Sequence, residues 1–181
     1  MSILMLADGF EEIEALTVVD VLRRADIDIK TVSIKEDEFV VGRSNIVVKA
    51  DYLIDDMDFD DEDMLILPGG MPGTLNLETN RKVQKLIKKF ADDNKWIASI
   101  CAAPSILGKA NYLKGINATC YPGFEKFLEG ANYINKKVVV SENFITSQGA
   151  GTAFDFAYEI VKVLKDDIEV SKLKESMIYY V

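Results

Sequence analysis

The sequence predicts a doubly wound α/β protein, a mostly parallel sheet with helices on both faces, and three observations carry that prediction. Apolar runs and helical patterns alternate from one end of the chain to the other, the signature of βα units. Cys101 follows the apolar run Trp96–Ile100 directly and precedes a helical stretch, so a strand turns into a helix at a nucleophile type. Pro68-Gly69-Gly70 stops a second buried-type run, Met64–Leu67, and ligands of open α/β sheets bind outside such carboxyl ends.

In order, Ser2–Ala7 reads as a first strand, followed after Asp8-Gly9 by a helix from about Glu11 to Ala25. Asp28–Ile34 alternates into a second strand. Residues 38 to 55 form a small β excursion, with Phe39-Val40-Val41 and Ile46-Val47-Val48 flanking Gly42-Arg43-Ser44-Asn45. The acidic run Asp55–Asp63 lacks the glycine and the spacing of a calcium loop and reads as a solvated connection. A helix over Asn80–Asp93 carries Val83, Leu86, Ile87 and Phe90 on one face, which makes its lysines the wet side. Strand Trp96–Ile100, a helix from Ala103 to Lys109, strands Val138–Val140 and Phe144–Thr146, and a helix from Thr152 to Leu164 complete the pattern. Without repeat, low-complexity tract or linker, residues 1–181 read as one domain.

The totals exclude several functions. With 30 acidic against 21 basic residues the net charge is −9, a field that repels a phosphate backbone, so no nucleic-acid partner is expected. No apolar run approaches the roughly 18 residues needed to span a bilayer, and no membrane partner is expected. The N-terminus has no basic leader, and two cysteines without an export signal fit free thiols in the cytoplasm. There is no histidine. That removes Ser-His-Asp and Cys-His mechanisms and every imidazole metal site, so no metal is expected, and acid–base work falls to carboxylates, tyrosines, lysines, a thiol or water.

The chemistry therefore centres on Cys101. Small residues two before it (Ser99) and two after it (Ala103) are what a sharp elbow requires, and a helix N-terminus favours thiolate over thiol. A small buried hydrophobe is the competing reading of the same cysteine. Gly70 at the neighbouring strand end can bring its N–H close to a reacting atom, and with the N–H of Ala102 it is a candidate oxyanion hole. Glu11, Glu12 and Glu14 open the first helix. The helix dipole accounts for the first two, whereas Glu14 heads the core-facing row Glu14, Val18, Val21, Ala25. A carboxyl entering an apolar cleft is expected to keep its proton and to donate a hydrogen bond to a thiolate. Gly149-Ala150-Gly151 lacks the third glycine of a dinucleotide fingerprint, because Phe154 holds that position, and reads as a turn before a Thr152 helix cap; no cofactor is expected.

These residues carry a resemblance. Ala98-Ser99-Ile100-Cys101-Ala102-Ala103-Pro104, Leu6-Ala7-Asp8-Gly9-Phe10-Glu11-Glu12-Ile13-Glu14, Leu65-Ile66-Leu67-Pro68-Gly69-Gly70 and Thr146-Ser147-Gln148-Gly149-Ala150-Gly151-Thr152 resemble, in order and spacing, the motifs of the ThiJ/PfpI superfamily. Within it the chain is most similar to the branch of the parkinsonism-associated deglycase-like protein. The resemblance implies a flavodoxin-like fold, a homodimer, Cys101 as the reactive thiol, Glu14 as its protonated partner, and a pocket at Gly69, Tyr121, Gly149 and Ala150. Family activities include glyoxalase-type conversion of 2-oxoaldehydes to hydroxy acids, deglycation, oxidative sensing and chaperone-like behaviour. The chain departs from members that place a histidine near the cysteine, since Tyr121 of Thr119-Cys120-Tyr121-Pro122 stands there. A phenol, with a reference pKa of about 10, is a poor base near neutrality.

The expected function is a cysteine-dependent conversion of small reactive carbonyls that needs neither metal nor organic cofactor. The alternative is a redox-responsive protein that senses oxidants through Cys101 without a metabolic substrate. A peptidase or amidase is weakened by the missing histidine.

Overall fold

The computed structural model describes residues 1–179. A seven-stranded sheet runs in the order β10 (Val138–Ser141), β11 (Phe144–Ser147), β7 (Trp96–Ile100), β6 (Met64–Leu67), β1 (Ser2–Leu6), β2 (Ile29–Ser33), β5 (Tyr52–Leu53). All pairings are parallel except β10 against β11. The mostly parallel, doubly wound sheet that the alternating pattern predicts is thus the fold observed.

Two layers of helices bury the sheet. Leu4, Leu6, Ile66, Ala98, Ile100 and Ile145 point to one face, covered by α1 (Glu12–Arg24), α5 (Ala153–Leu164) and α6 (Asp167–Ser176). Ile3, Met5, Leu65, Leu67, Ile97 and Phe144 point to the other, covered by α2 (Gly73–Thr79), α3 (Arg81–Asp92) and α4 (Pro104–Lys109). The period of two along each strand feeds both cores, which is why these strands read as continuous apolar runs. α3 buries Val83, Leu86, Ile87 and Phe90, and Asn80 caps it by accepting from the N–H groups of Lys82 (2.9 Å) and Val83 (3.1 Å).

The excursion after β2 is a hairpin of β3 (Phe39–Val41) and β4 (Val47–Lys49), separate from the main sheet, before β5 joins its edge. A two-residue pair, β8 (Asn117–Ala118) with β9 (Asn132–Tyr133), flanks the other side. Three kinds of element escaped the sequence pattern. α2 is seven residues containing Gly, Thr and Asn, poor helix formers held by packing. α6 buries only Val170 and Leu173, too few for a readable stripe, although Asp166 accepting from Glu169 N–H (2.8 Å) is a legible helix start. The two-residue strands have no periodicity to read. In the acidic connection, Glu62 is buried rather than solvated.

β1 lies between β2 and β6, so the chain leaves β1 in one direction and returns to its other side. This is the topological switch point, where a crevice opens beyond the strand ends. The registers Leu67↔Ser99 and Ser147↔Ile100 bring Pro68-Gly69-Gly70, Cys101 and Gln148-Gly149 to one edge.

Candidate active site

Cys101 adopts φ +64°. A left-handed backbone costs a non-glycine residue on the order of 1–3 kcal/mol and persists only where its surroundings over-determine it. Here both backbone groups are tied: the N–H donates to Ser147 C=O (2.9 Å), and the C=O accepts from Tyr121 N–H (2.8 Å). Ser99 and Ala103 are fully buried against the turn, as the small-residue spacing predicts. The side chain is half-buried and hydrogen-bonds Glu14, while the N–H groups of Gly70 and Ala102 donate to its sulfur.

Glu14 is 1 % exposed, and its Oε2 accepts from Gly69 N–H at 2.9 Å. Gly69 can make that bond because it has no side chain. A Cβ there would stand 2.6 Å from both Cys101 Cβ and Glu14 Oε2. Gly149 closes the opposite side of the thiol. A Cβ on it would lie 3.3 Å from the Tyr121 ring and 3.8 Å from Cys101 Sγ, with half-buried Ala150 next in the turn. The structure thus gathers Cys101, Glu14, Gly69, Gly70, Ala102, Tyr121 and Gly149 around one sulfur.

The electrostatics follow from burial. Desolvation raises the Glu14 carboxyl to about 7, against the Cys101 and Gly69 hydrogen bonds. Burial, and then the Glu14 carboxylate, push the Cys101 thiol up to about 12, against the N–H groups of Ala102 and Gly70. The two groups titrate as a pair. Above pH 7 the pair holds one proton, on sulfur or on the carboxyl, and moving it from thiol to Glu14 creates a thiolate facing three donors.

Three sequence-based expectations need correction. The Cys101 thiol is raised and not lowered: α4 starts at Pro104 with Ala103 as its cap, the N–H donors come from the elbow and from Gly70, and burial outweighs them. Glu11 and Glu12 do more than complement the helix dipole. Glu11 accepts from Arg43 Nη1 (3.0 Å), and buried Glu12 accepts from Ser44 N–H (2.8 Å), so both pin the hairpin turn over the start of α1. Thr152 stands at the cap position of α5, but its hydroxyl accepts from Gly149 N–H (3.1 Å) and makes no bond to the helix. The expectation of free thiols holds: Cys120 is wholly buried in the opposite core from Cys101, and the two are not paired.

Arg43 is the residue that sequence reasoning missed. Its guanidinium acts on Glu14, Glu11 and Cys101, and its charge opposes the rise of the Glu14 carboxyl. It reads in sequence only as part of a hairpin turn, and nothing local ties that turn to the strand end 58 residues later. Among the described residues no three potential ligands cluster as a metal site, and no helix is long and apolar enough to cross a membrane.

Known proteins share this architecture. Protein dj-1beta of Drosophila melanogaster is 31% identical over 179 residues, covering 98% of this chain and 96% of that protein. Deglycase TK1284 of Thermococcus kodakarensis is 32% identical over 168 residues, 91% of this chain and 100% of that one. Protein DJ-1 homolog B of Arabidopsis thaliana is 35% identical over 158 residues, 87% of this chain but 36% of its own length; the chain therefore spans about a third of that relative. Among solved structures, oxidized Toxoplasma gondii DJ-1 superposes with a TM-score of 0.95 at 30% identity, covering 99% of this chain and 98% of that one. A sequence model described as the DJ-1/PfpI family matches residues 1–163. The chain belongs to the DJ-1/PfpI family, and its flavodoxin-like α/β fold is that family's fold.

Proposed function

We propose that the chain is a cofactor-independent enzyme that converts small 2-oxoaldehydes to hydroxy acids through Cys101 and Glu14. The observation that carries this reading is the convergence of a proton-holding carboxyl and two backbone N–H groups on one half-buried thiol. The Cys101 proton moves to Glu14, and the thiolate attacks the aldehyde carbon, with Gly70 and Ala102 N–H groups receiving the new oxyanion. Glu14 then gives that proton to the neighbouring ketone oxygen, and its freed carboxylate carries a proton from the attacked carbon to the adjacent one, leaving a hydroxyacyl thioester. Water hydrolyses the thioester, frees the thiol and balances the overall reaction, aldehyde plus water to hydroxy acid. The name of the archaeal relative, a deglycase, supports carbonyl chemistry on this scaffold. Methylglyoxal consumption and lactate formation test the proposal: wild type is expected to turn over saturably and Cys101→Ala not at all, and equal rates would overturn it.

Tyr121 stands beside the thiol with its ring against Gly149. Tyr121→His is expected to raise kcat for methylglyoxal about tenfold, less than the ~10²–10⁴-fold of a well-aimed base, because imidazole accepts a proton near neutrality and a phenol does not. Steady-state kinetics on Tyr121→Phe separates this gain from loss of the hydroxyl. A folded Tyr121→His no faster than Tyr121→Phe removes the idea that a missing base limits the rate.

One observation favours a second reading. The same three donors would hold a sulfinate on Cys101 as readily as a thiolate, so oxidant sensing is the rival function. Mass gain on Cys101 under mild peroxide, with no methylglyoxal turnover, would select it.

We also infer a cytoplasmic, single-domain homodimer. Phe39, Val41 and Val47 are exposed on the outer side of the hairpin, Ile46 is exposed at its tip, and exposed Ile13 adjoins Glu12, which holds the hairpin turn. An apolar patch of this kind marks a protein–protein contact. Light scattering is expected to give twice the chain mass, and the single-chain mass at every concentration would refute the dimer.

A further inference from the structure

We propose that Ser147 and Thr152 form a hydroxyl clamp that fixes Gly149 as the wall of the Cys101 pocket and thereby sets the size of carbonyl compound the thiol accepts. This rests on the carbonyl-converting reading of the site above. The clamp is a connected set of hydrogen bonds. Gly149 N–H donates to Thr152 Oγ1 (3.1 Å), Thr152 Oγ1 and Ser147 Oγ stand 2.7 Å apart, and Ser147 Oγ donates to Lys137 C=O (2.8 Å). With the Ser147 proton committed to Lys137, the single Thr152 hydroxyl proton is shared between Ser147 Oγ and the Gly149 C=O (2.8 Å), so the hydroxyl ties the pocket wall both to itself and to the base of β10. The Gly149 carbonyl is held from the same residue, accepting from Thr152 N–H at 2.8 Å.

Two features separate this clamp from ordinary loop packing. Thr152 occupies the cap position of α5, where a threonine hydroxyl normally satisfies a first-turn N–H, yet it makes no such bond and spends its hydroxyl on Gly149. Ser147 is fully buried, and its main chain holds the nucleophile itself, through its C=O to Cys101 N–H (2.9 Å). One residue therefore anchors the strained elbow with its backbone and the facing wall with its side chain. The gap between them is narrow, since the Cβ position of Gly149 lies 3.8 Å from Sγ and 3.3 Å from the Tyr121 ring. Ser147 and Thr152 touch no substrate in this scheme; they are positioning residues.

The test compares Thr152→Val, which replaces the hydroxyl with a methyl of similar size, with Thr152→Ser, which keeps it. Substrates are methylglyoxal and the bulkier phenylglyoxal. Thr152→Val is expected to shift the ratio of their kcat/KM values about tenfold toward phenylglyoxal, the scale at which pocket walls discriminate, while Thr152→Ser keeps the wild-type ratio. Cys101 labelling by iodoacetamide and by N-phenylmaleimide gives the same comparison without turnover, and the larger reagent is expected to gain in Thr152→Val. This arm judges the clamp even if no 2-oxoaldehyde is consumed, an outcome that would overturn the function proposed above and not the clamp. Ser147→Ala is a second variant expected to shift both ratios in the same direction. Hydrogen exchange on the wild type needs no variant: the Gly149 amide is expected to be protected, and free exchange would overturn the clamp. Unchanged ratios in Thr152→Val and Ser147→Ala, or a Thr152→Ser protein that behaves like Thr152→Val, would also overturn it.

Discussion

Glu14→Gln is expected to lose at least about a hundredfold in 2-oxoaldehyde turnover while becoming more stable than wild type at pH 8. Both effects come from the proton the carboxyl holds. The amide keeps the shape and can donate to sulfur, but it cannot take the thiol proton or carry one between substrate carbons. Without that internal acceptor, Cys101 must release its proton to solvent against burial, so the pH at which it reacts moves upward. In wild type, alkylation and kcat/KM are expected to rise as the pH passes about 7, where the doubly protonated pair becomes the singly protonated one that can form a thiolate. That inflection should vanish in Glu14→Gln. The stability gain has the opposite origin. The carboxyl is raised from 4.5 to about 7 in the fold, so the folded state binds the extra proton over that window. Below pH 4.5 both states hold it and there is no cost; as the pH rises through 7 the fold loses about 3 kcal/mol relative to a chain whose position 14 cannot ionise. Urea midpoints for the two proteins should therefore diverge at pH 8 and converge toward pH 4.5. A constant difference across that range would show that Glu14 is not held protonated by burial.

Much of this site is legible in the sequence because its parts are local. Cys101, Ala102 and Gly70 sit where apolar runs stop, and strand ends at a switch point are where α/β proteins bind ligands. Glu14 was readable because a carboxylate in a core-facing row conflicts with helix amphipathicity, and such conflicts mark function. What escaped depends on long-range pairing. The Arg43–Glu11 and Ser44–Glu12 bonds join segments 32 residues apart, and no periodicity announces them. Thr152 carries the composition of a helix cap and reads as one in sequence, since the competing bond to Gly149 exists only once β11 has fixed where the loop begins. The raised thiol is the third case. Sequence shows the helix that follows Cys101, but burial, which decides the sign, is a property of the packed elbow.

Gly69→Ala is expected to disable the site more completely than its single methyl suggests. Its Cβ would meet Cys101 Cβ and Glu14 Oε2 at 2.6 Å and Ile100 C=O at 3.0 Å, separations that require something to move. Cys101 cannot yield easily, because its backbone is tied to Ser147 on one side and to Tyr121 on the other. The Glu14 carboxyl can swing, but only by leaving Gly69 N–H and the thiol it serves. Overpacking of this kind costs about 1–3 kcal/mol. Displacing the acid from the thiol should lower turnover by about 10²-fold. Gly115→Ala is the matched control. Gly115 has φ +78° with nothing within 4 Å of a new Cβ, so it suffers backbone strain of about 1 kcal/mol and leaves turnover unchanged. A double-mutant cycle assigns the mechanism. In a Glu14→Ala background one of the clashing atoms is gone, so Gly69→Ala should cost less than in wild type, with a coupling of about 0.5–3 kcal/mol. Strictly additive effects would mean that the methyl acts through the main chain and not by driving Glu14 from the thiol.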